Sequence, residues 1–306
     1  MSDKETSIIS QLSLYCPSNS TVRYGIGDDA AVLAPEQGEQ LICQDMLMDG
    51  VHFLCAQHAP ERIGHKALAV NLSDIAAMGG QALSATIALA LPRDRITTDF
   101  IDRLYRGFQA LAQRFNVAIV GGDTNIWSGP LVVSVTGLGR VHGKGAIKRS
   151  GARAGDLIYV TGPLGDSYAS GHHLDFQPRL EEARHLMDRL TLNSMIDLSD
   201  GLGKDLREIA HQSRLRAALW AAHLPLRPSL QSQPLEEARR RALADGEDFE
   251  LCFTVTTEEA RLLDSMRSEL PSLYCIGRML PGTGLAWETY PGIFEDITTQ
   301  GYEHKI

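Results

Sequence analysis

The sequence predicts an α/β protein with mixed sheets, built as two successive units. Apolar residues alternate between period two and period 3.6 along both halves, the mark of strands interleaved with helices. Near the middle the stretch VHGKGAIKRSGARAG, Val141–Gly155, is rich in glycine and basic residues and poor in large apolar ones, which marks a connection. A length of 306 residues with 43% hydrophobic content favours two cores over one. The expected division is therefore 1–143 and 144–306.

In the first unit, YGIGDDAAVL at Tyr24–Leu33 reads as a glycine-broken turn followed by a small apolar strand. Leu41–Met46, Ser84–Leu91, Val117–Val120 and Leu131–Leu138 read as further strands. Thr98–Phe115 reads as a helix, with Phe100, Leu104, Phe108, Leu111 and Phe115 on one stripe. Ala67–Met78, ALAVNLSDIAAM, is apolar nearly all round and so predicts a buried helix, closed by Gly79 and Gly80 as a left-handed cap. In the second unit Asp156–Thr161, Ser194–Leu198, Arg216–Ala222, Phe249–Val255 and Tyr274–Met279 read as strands. Helical patterns separate them at 179–190, 202–213, 235–244 and 257–268.

Composition excludes several function classes. A formal charge of −9 argues against a general nucleic-acid binder, which needs an excess of Lys and Arg to neutralise phosphates. No run reaches the length of a membrane span, and the N-terminus lacks a basic region followed by an apolar core, so a cytoplasmic protein is expected. The five cysteines, Cys16, Cys43, Cys55, Cys252 and Cys275, are scattered without a C-x-x-C pair and suit reduced thiols. There is no G-x-x-x-x-G-K-[ST], and GLGRVHG at Gly137 lacks the spacing of a dinucleotide fingerprint. His172 and His173 are adjacent and fit a surface loop better than a metal site.

The informative residues are acids. Asp28 and Asp29 repel each other in a turn, which is either a solvated loop or half of a cation site, since aspartate oxygens are the usual hard ligands of magnesium. Asn71 and Asp74 share one face of the buried helix, where an unpaired carboxylate would cost several kcal/mol; it requires a basic partner, such as Lys66, or a metal. Asp123 follows the strand VAIV as GGDT, either a plain turn or a glycine-lined strand end that phosphate can approach. Asp197 ends a short strand in SMIDLSDGL, with Ser199 or Asp200 able to cap the next helix. Glu247 and Asp248 precede a strand in ADGEDFELCF, and Asp45 closes another. Acids that recur at strand ends make sense together only with divalent cations between protein and polyphosphate, with Lys148 and Arg149 as candidate phosphate clamps.

Taken in order, GIGDDAAVL, D-x-L-x-x-GVHF, KALAVNLSDIAAMG, GGDT, KRSGARAGDLIYVTGPLGDS, IDLSDGL, GEDFELCF and GYEH resemble the thiamine-monophosphate kinases, within the wider superfamily of aminoimidazole-ribonucleotide synthetase and selenophosphate synthetase. The resemblance runs from Gly25 to Tyr302. It implies a two-domain aminoimidazole-ribonucleotide synthetase-like architecture, an N-terminal ATP- and magnesium-binding domain that also dimerises, and transfer of the γ-phosphoryl group of ATP to thiamine phosphate with several Mg2+ ions. Carried over, Asp28, Asp45, Asp74, Asp123, Asp197 and Asp200 would hold magnesium. Gly122, Asp123, Arg149 and Ser199 would contact ATP, and His52, Glu247 and Tyr302 would line the thiamine phosphate site, where an acid and an aromatic ring suit a cationic thiazolium.

The chain departs from the pattern in three places. Cys43-Gln44-Asp45-Met46 stands where the family has S-T-D-T, the terminal G-Y-x-H-F ends in Lys305, and the segment between Gly165 and Pro178 is short. Another ATP-using synthetase of the superfamily, or a degenerate non-catalytic nucleotide binder, remains as an alternative reading of the same residues.

Overall fold

The computed structural model describes residues 14–26, 30–34, 38–93, 97–266, 268–270 and 272–297. Asp28 and Tyr302 lie outside the described residues. The chain divides into two compact units, Met1–Ile75 with Gly80–Gly143, and Ala76–Gly79 with Lys144–Ile306. Among the described residues, no helix is long and apolar enough to cross a membrane.

In the first unit, β1 (Val22–Tyr24) pairs antiparallel with β2 (Val32–Leu33). A four-stranded sheet follows in the order β3 (Gln40–Met48), β6 (Val132–Arg140), β4 (Gln81–Pro92), β5 (Ala118–Trp127). Only β4 and β5 run parallel, because a helix, α2 (Thr98–Arg114), provides the crossover that parallel strands need. Thr97 caps α2 by accepting the Phe100 N–H at 3.2 Å. The expected stripe is buried at Leu104, Phe108 and Leu111, joined by Tyr105 and Ala112, while Phe100 and Phe115 at its ends are half-buried.

The other helix, α1, spans Pro60–Ala77 and starts seven residues ahead of the expected Ala67. Pro60 suits a first helical position, where its missing N–H is no loss. The polar run PERIGHK hid this turn from periodicity, and its Gly64 has a packing reason. A Cβ at Gly64 would lie 2.1 Å from the Leu104 carbonyl oxygen, and one at Gly107 would lie 1.9 Å from that of Glu61. The two helices therefore cross backbone against backbone. At the far end Gly79 takes φ +67 and the Gly80 N–H reaches the Ile75 carbonyl at 2.9 Å, the left-handed cap expected of the glycine pair.

One strand extends further than its sequence suggests. β5 continues through Gly121-Gly122-Asp123-Thr124 to Trp127, so GGDT is not a strand end. A Cβ at Gly122 would lie 1.8 Å from the Ile87 carbonyl oxygen of β4. Close strand approach accounts for that glycine without a phosphate.

The second unit holds a seven-stranded mixed sheet in the order β13 (Ile293–Asp296), β12 (Gly284–Tyr290), β9 (Leu215–Leu219), β11 (Tyr274–Pro281), β7 (Leu157–Val160), β10 (Leu251–Val255), β8 (Ser194–Asp197). Its longer helices are α5 (Leu180–Arg189), α6 (Leu202–Ser213), α7 (Leu235–Ala244) and α8 (Thr257–Ser265). Ile158, Val160, Leu206, Ile209, Leu219, Cys252 and Ile276 form the centre of its core. β9 stops at Leu219, short of the expected Ala222, and the chain turns through a 3-10 segment at Ala221–His223. The shortened segment after Gly165 is occupied by two single turns, α3 (Ser167–Ser170) and α4 (His172–Asp175), with Gly171 at φ +78 between them. That bend corrects the surface-loop expectation for the histidines. His173 is 1% exposed, stacked on Tyr168 with ring centroids 4.4 Å apart and with Nδ1 3.1 Å from the Ser167 carbonyl oxygen.

Candidate functional site

In the first unit Asp45 and Asp74 meet where β3 faces α1, whereas Asp123, on β5 at the other edge of the sheet, is not brought to them. Pleating turns Cys43, Asp45 and Leu47 to one side and leaves Ile42, Gln44 and Met46 exposed on the other. Cys43 Sγ donates to the Asn71 carbonyl oxygen at 3.4 Å, which fixes the side of β3 that faces the helix. Glycines in β6 let the helix sit close: a Cβ at Gly137 would meet Cys43 Sγ at 3.0 Å, and one at Gly139 would meet Ile75 Cγ2 at 3.1 Å. Packing, not a dinucleotide, explains GLGR.

On that face Asp45 and Asp74 share a hydrogen bond, and burial holds the Asp45 carboxyl above the ordinary carboxylate range against the pull of that bond. Two carboxyl groups can share a hydrogen bond only with a proton between them. A cation can replace that proton, and oxygen-only donors favour magnesium. Lys66 is fully buried and donates to the His52 carbonyl oxygen at 2.7 Å. His52 itself occupies the turn after β3, where Nδ1 accepts the Met48 N–H at 3.1 Å and leaves Nε2 as the donor nitrogen of the neutral ring. Asp123 is exposed in β5, accepting from the Thr124 N–H at 2.9 Å and from Asn125 Nδ2 at 2.7 Å.

In the second unit IDLSDGL and GEDFE lie side by side because β8 and β10 are antiparallel neighbours, with Leu251 opposite Asp197. The Glu247 N–H donates to the Ser199 carbonyl oxygen at 2.7 Å, and the Phe249 N–H to that of Leu198 at 2.8 Å. The two loops touch so closely that a Cβ at Gly246 would lie 2.7 Å from the Ser199 carbonyl oxygen, and one at Gly201 2.9 Å from that of Asp245. Asp197, Ser199, Asp200 and Glu247 are thereby brought together. Asp197 is buried, and Asp200 pairs with Lys204 at 2.7 Å. Arg149 is exposed, next to Lys148, whose carbonyl accepts the Met195 N–H at 3.1 Å.

Three acids here were missed or misjudged from sequence. Asp205, in the first turns of α6, is buried, and burial followed by the charges of Asp197 and Asp200 pushes its carboxyl well up, while the backbone N–H groups of Asp200 and Gly201 pull it down. Its position one helical turn after SDG was the available signal. Asp248 and Glu250 are buried and each meets an arginine: Arg227 at 2.9 Å and Arg179 at 2.6 Å. Asp248 was grouped with Glu247 as a site acid, yet it faces inward while Glu247 remains half-exposed.

Among the described residues, no three His, Cys, Asp or Glu side chains assemble as a ready-made metal site. Magnesium keeps several waters and binds through one or two carboxylates plus substrate phosphates. The donor chemistry of the Asp45–Asp74 pair fits such an ion.

Residues 27–141 match the family model described as AIR synthase related protein, N-terminal domain. A Rhodopirellula baltica protein named thiamine-monophosphate kinase is 38% identical over 92% of both chains. The crystal structure of a thiamine-monophosphate kinase from Stenotrophomonas maltophilia aligns with a TM-score of 0.81 at 34% identity, covering 92% of this chain and 96% of that one. A structure titled AaThiL complexed with AMPPCP and TMP aligns with a TM-score of 0.76 at 27% identity, covering 98% and 95%. This chain belongs to the thiamine-monophosphate kinase family.

Proposed function

We propose that the chain transfers the γ-phosphoryl group of ATP to thiamine phosphate, giving thiamine diphosphate and ADP, by direct in-line displacement assisted by several magnesium ions. The observation that carries this reading is kinship along nearly the whole chain, joined to a structural relative solved with AMPPCP, an ATP analogue, and TMP. A phosphate oxygen of thiamine phosphate forms the new bond to the γ-phosphorus, and the bond from that phosphorus to the β,γ-bridging oxygen breaks.

Asp28, Asp45, Asp74, Asp123, Asp197 and Asp200 are proposed as the magnesium ligands. Magnesium, when bound, would neutralise the charge that spreads over the phosphate oxygens. Asp200 would have to exchange Lys204 for the ion. Gly122, Asp123, Arg149 and Ser199 are proposed to bind ATP; the exposed Arg149 guanidinium suits a bidentate phosphate contact. His52, Glu247 and Tyr302 are proposed to hold thiamine phosphate, with His52 Nε2–H as a donor to an anion and Glu247 as the counter-charge of the thiazolium. No residue is assigned as a covalent nucleophile, because the acceptor brings its own.

Domains 1–143 and 144–306 are proposed to act in a homodimer built through the first. Ile42, 75% exposed, and Met46, 55% exposed, project from the sheet face opposite α1, where Val132, Leu138 and Ala88 extend the same surface by register. A second copy would cover that apolar face. The cytoplasm suits such an enzyme, since ATP is there.

ADP release measured with and without thiamine phosphate tests the reading. Dependence on thiamine phosphate is expected, with inversion at a chiral γ-phosphorus. ADP release indifferent to thiamine phosphate, net retention, or a trapped phosphoenzyme would each overturn it.

A further inference from the structure

Glu247 and Phe249 both adopt left-handed backbone conformations, φ +65 and +49, on either side of Asp248. Each such residue costs about 1 kcal/mol or more, which glycine would avoid. Phe249 has a structural reason to keep its side chain: its ring stacks on Phe176 at 4.2 Å and is buried. Glu247 is half-exposed, so its side chain is retained at a glycine-favouring position without a core to fill. Something must hold the turn in this shape.

The holding group is the carboxylate between them. Asp248 is fully buried and accepts the Gly165 N–H at 2.9 Å, the Ser167 hydroxyl at 2.5 Å and Arg227 Nη2 at 2.9 Å. Arg227 also donates to the carbonyl oxygens of Pro163 and Gly165, at 3.0 and 2.8 Å. Every donor comes from elsewhere in the unit, the loop at 163–167 and the segment before α7. Glu250 is pinned separately, by Arg179 and the Thr161 hydroxyl at 2.6 Å.

We propose that Asp248 is a positioning residue for thiamine phosphate: by tying the Glu247–Phe249 turn to the Pro163–Ser167 loop through Arg227, it fixes where the Glu247 carboxylate stands. The proposal takes Glu247 as part of the thiamine phosphate site, as assigned above. Asp248 touches no substrate in this scheme and acts only through its neighbour.

Asp248→Asn, of the same size, replaces one acceptor oxygen with an amide that faces donors. Two measurements on the full chain decide the matter. The half-saturating concentration of thiamine phosphate should rise about tenfold or more while that of ATP stays within about twofold, a split that general loosening would not produce. Hydrogen exchange should quicken at the Gly165, Glu247 and Phe249 amides and not in β7 or β11. Arg227→Lys, which keeps the charge but loses the fork to Pro163 and Gly165, should give the same split in smaller measure and serves if the first variant does not fold. Equal rises for both substrates, or unchanged kinetics with faster exchange, would reduce Asp248 to a structural role. If the parent shows no thiamine-phosphate-dependent ADP release, the functional assignment fails; unchanged exchange at the three amides would then sink the positioning claim as well, and quickened exchange would leave it standing as the device that sets Glu247.

Discussion

Two groups of acids in this molecule look alike as sequence and differ as chemistry. On the β3–α1 face, Asp45 and Asp74 meet each other, and burial lifts Asp45. In the GEDFE turn, Asp248 and Glu250 are deeper still, but each is closed by an arginine and further donors. Burial of a carboxylate therefore says little about function until its partner is known. Acids closed by arginine support the scaffold around Glu247; on the proposed function, the Asp45–Asp74 contact is where a cation would enter.

The largest effect that would sharpen this contrast is on stability. Glu250→Gln keeps the volume and removes the charge, leaving the 21% exposed Arg179 with Glu182, at 2.8 Å, in place of its bidentate partner. Breaking a buried pair from one side costs about 3 kcal/mol or more. A drop of that size in unfolding free energy by denaturant titration is expected, and an unchanged midpoint would put Glu250 in the same category as Asp74.

Asp74→Asn should behave in the opposite way. An asparagine amide can donate to Asp45 in place of the shared proton, so the contact is kept and thermal stability should hold. On the proposed function, turnover should fall about a hundredfold, roughly 3 kcal/mol in the barrier, because a proposed magnesium ligand loses its charge. A variant that loses stability and keeps its turnover would break the comparison.

Much of the fold was legible because periodicity survives where elements pack on one side. Helices at Leu202–Ser213 and Leu235–Ala244 keep the expected bounds. Where glycine serves close packing, the same signal misleads: Gly64 helped to hide the first turns of α1, and Gly122 made β5 look finished. The β12–β13 hairpin went unread, being an edge pair with mostly exposed or half-exposed residues and therefore little alternation. The acids of the site were visible as letters. Which of them an arginine closes was not, since Arg227 lies 21 residues from Asp248 and Arg179 lies 71 from Glu250. Only the fold brings such pairs together.

The smallest effect concerns Cys43 and Gln44, where the chain departs from its family's S-T-D-T. From sequence, two hydroxyl ligands of the family are missing here, and the Gln44 amide oxygen could still serve as a neutral donor beside Asp45. Pleating separates the two residues: Cys43 shares the Asp45 face and meets Asn71, while Gln44 lies on the other face with Nε2 donating to Ser134 Oγ at 3.0 Å. Gln44 is therefore excluded as a partner of Asp45 toward the same ion. Cys43→Ser places a hard hydroxyl oxygen where a soft thiol stands, and should lower the magnesium concentration for half-maximal rate by about twofold. Gln44→Thr alone should leave the magnesium dependence unchanged, and combining the two should add nothing to the serine variant. A magnesium effect from Gln44→Thr alone would mean that β3 presents its other face to the metal, and the distinction drawn between the two sides of this strand would fall.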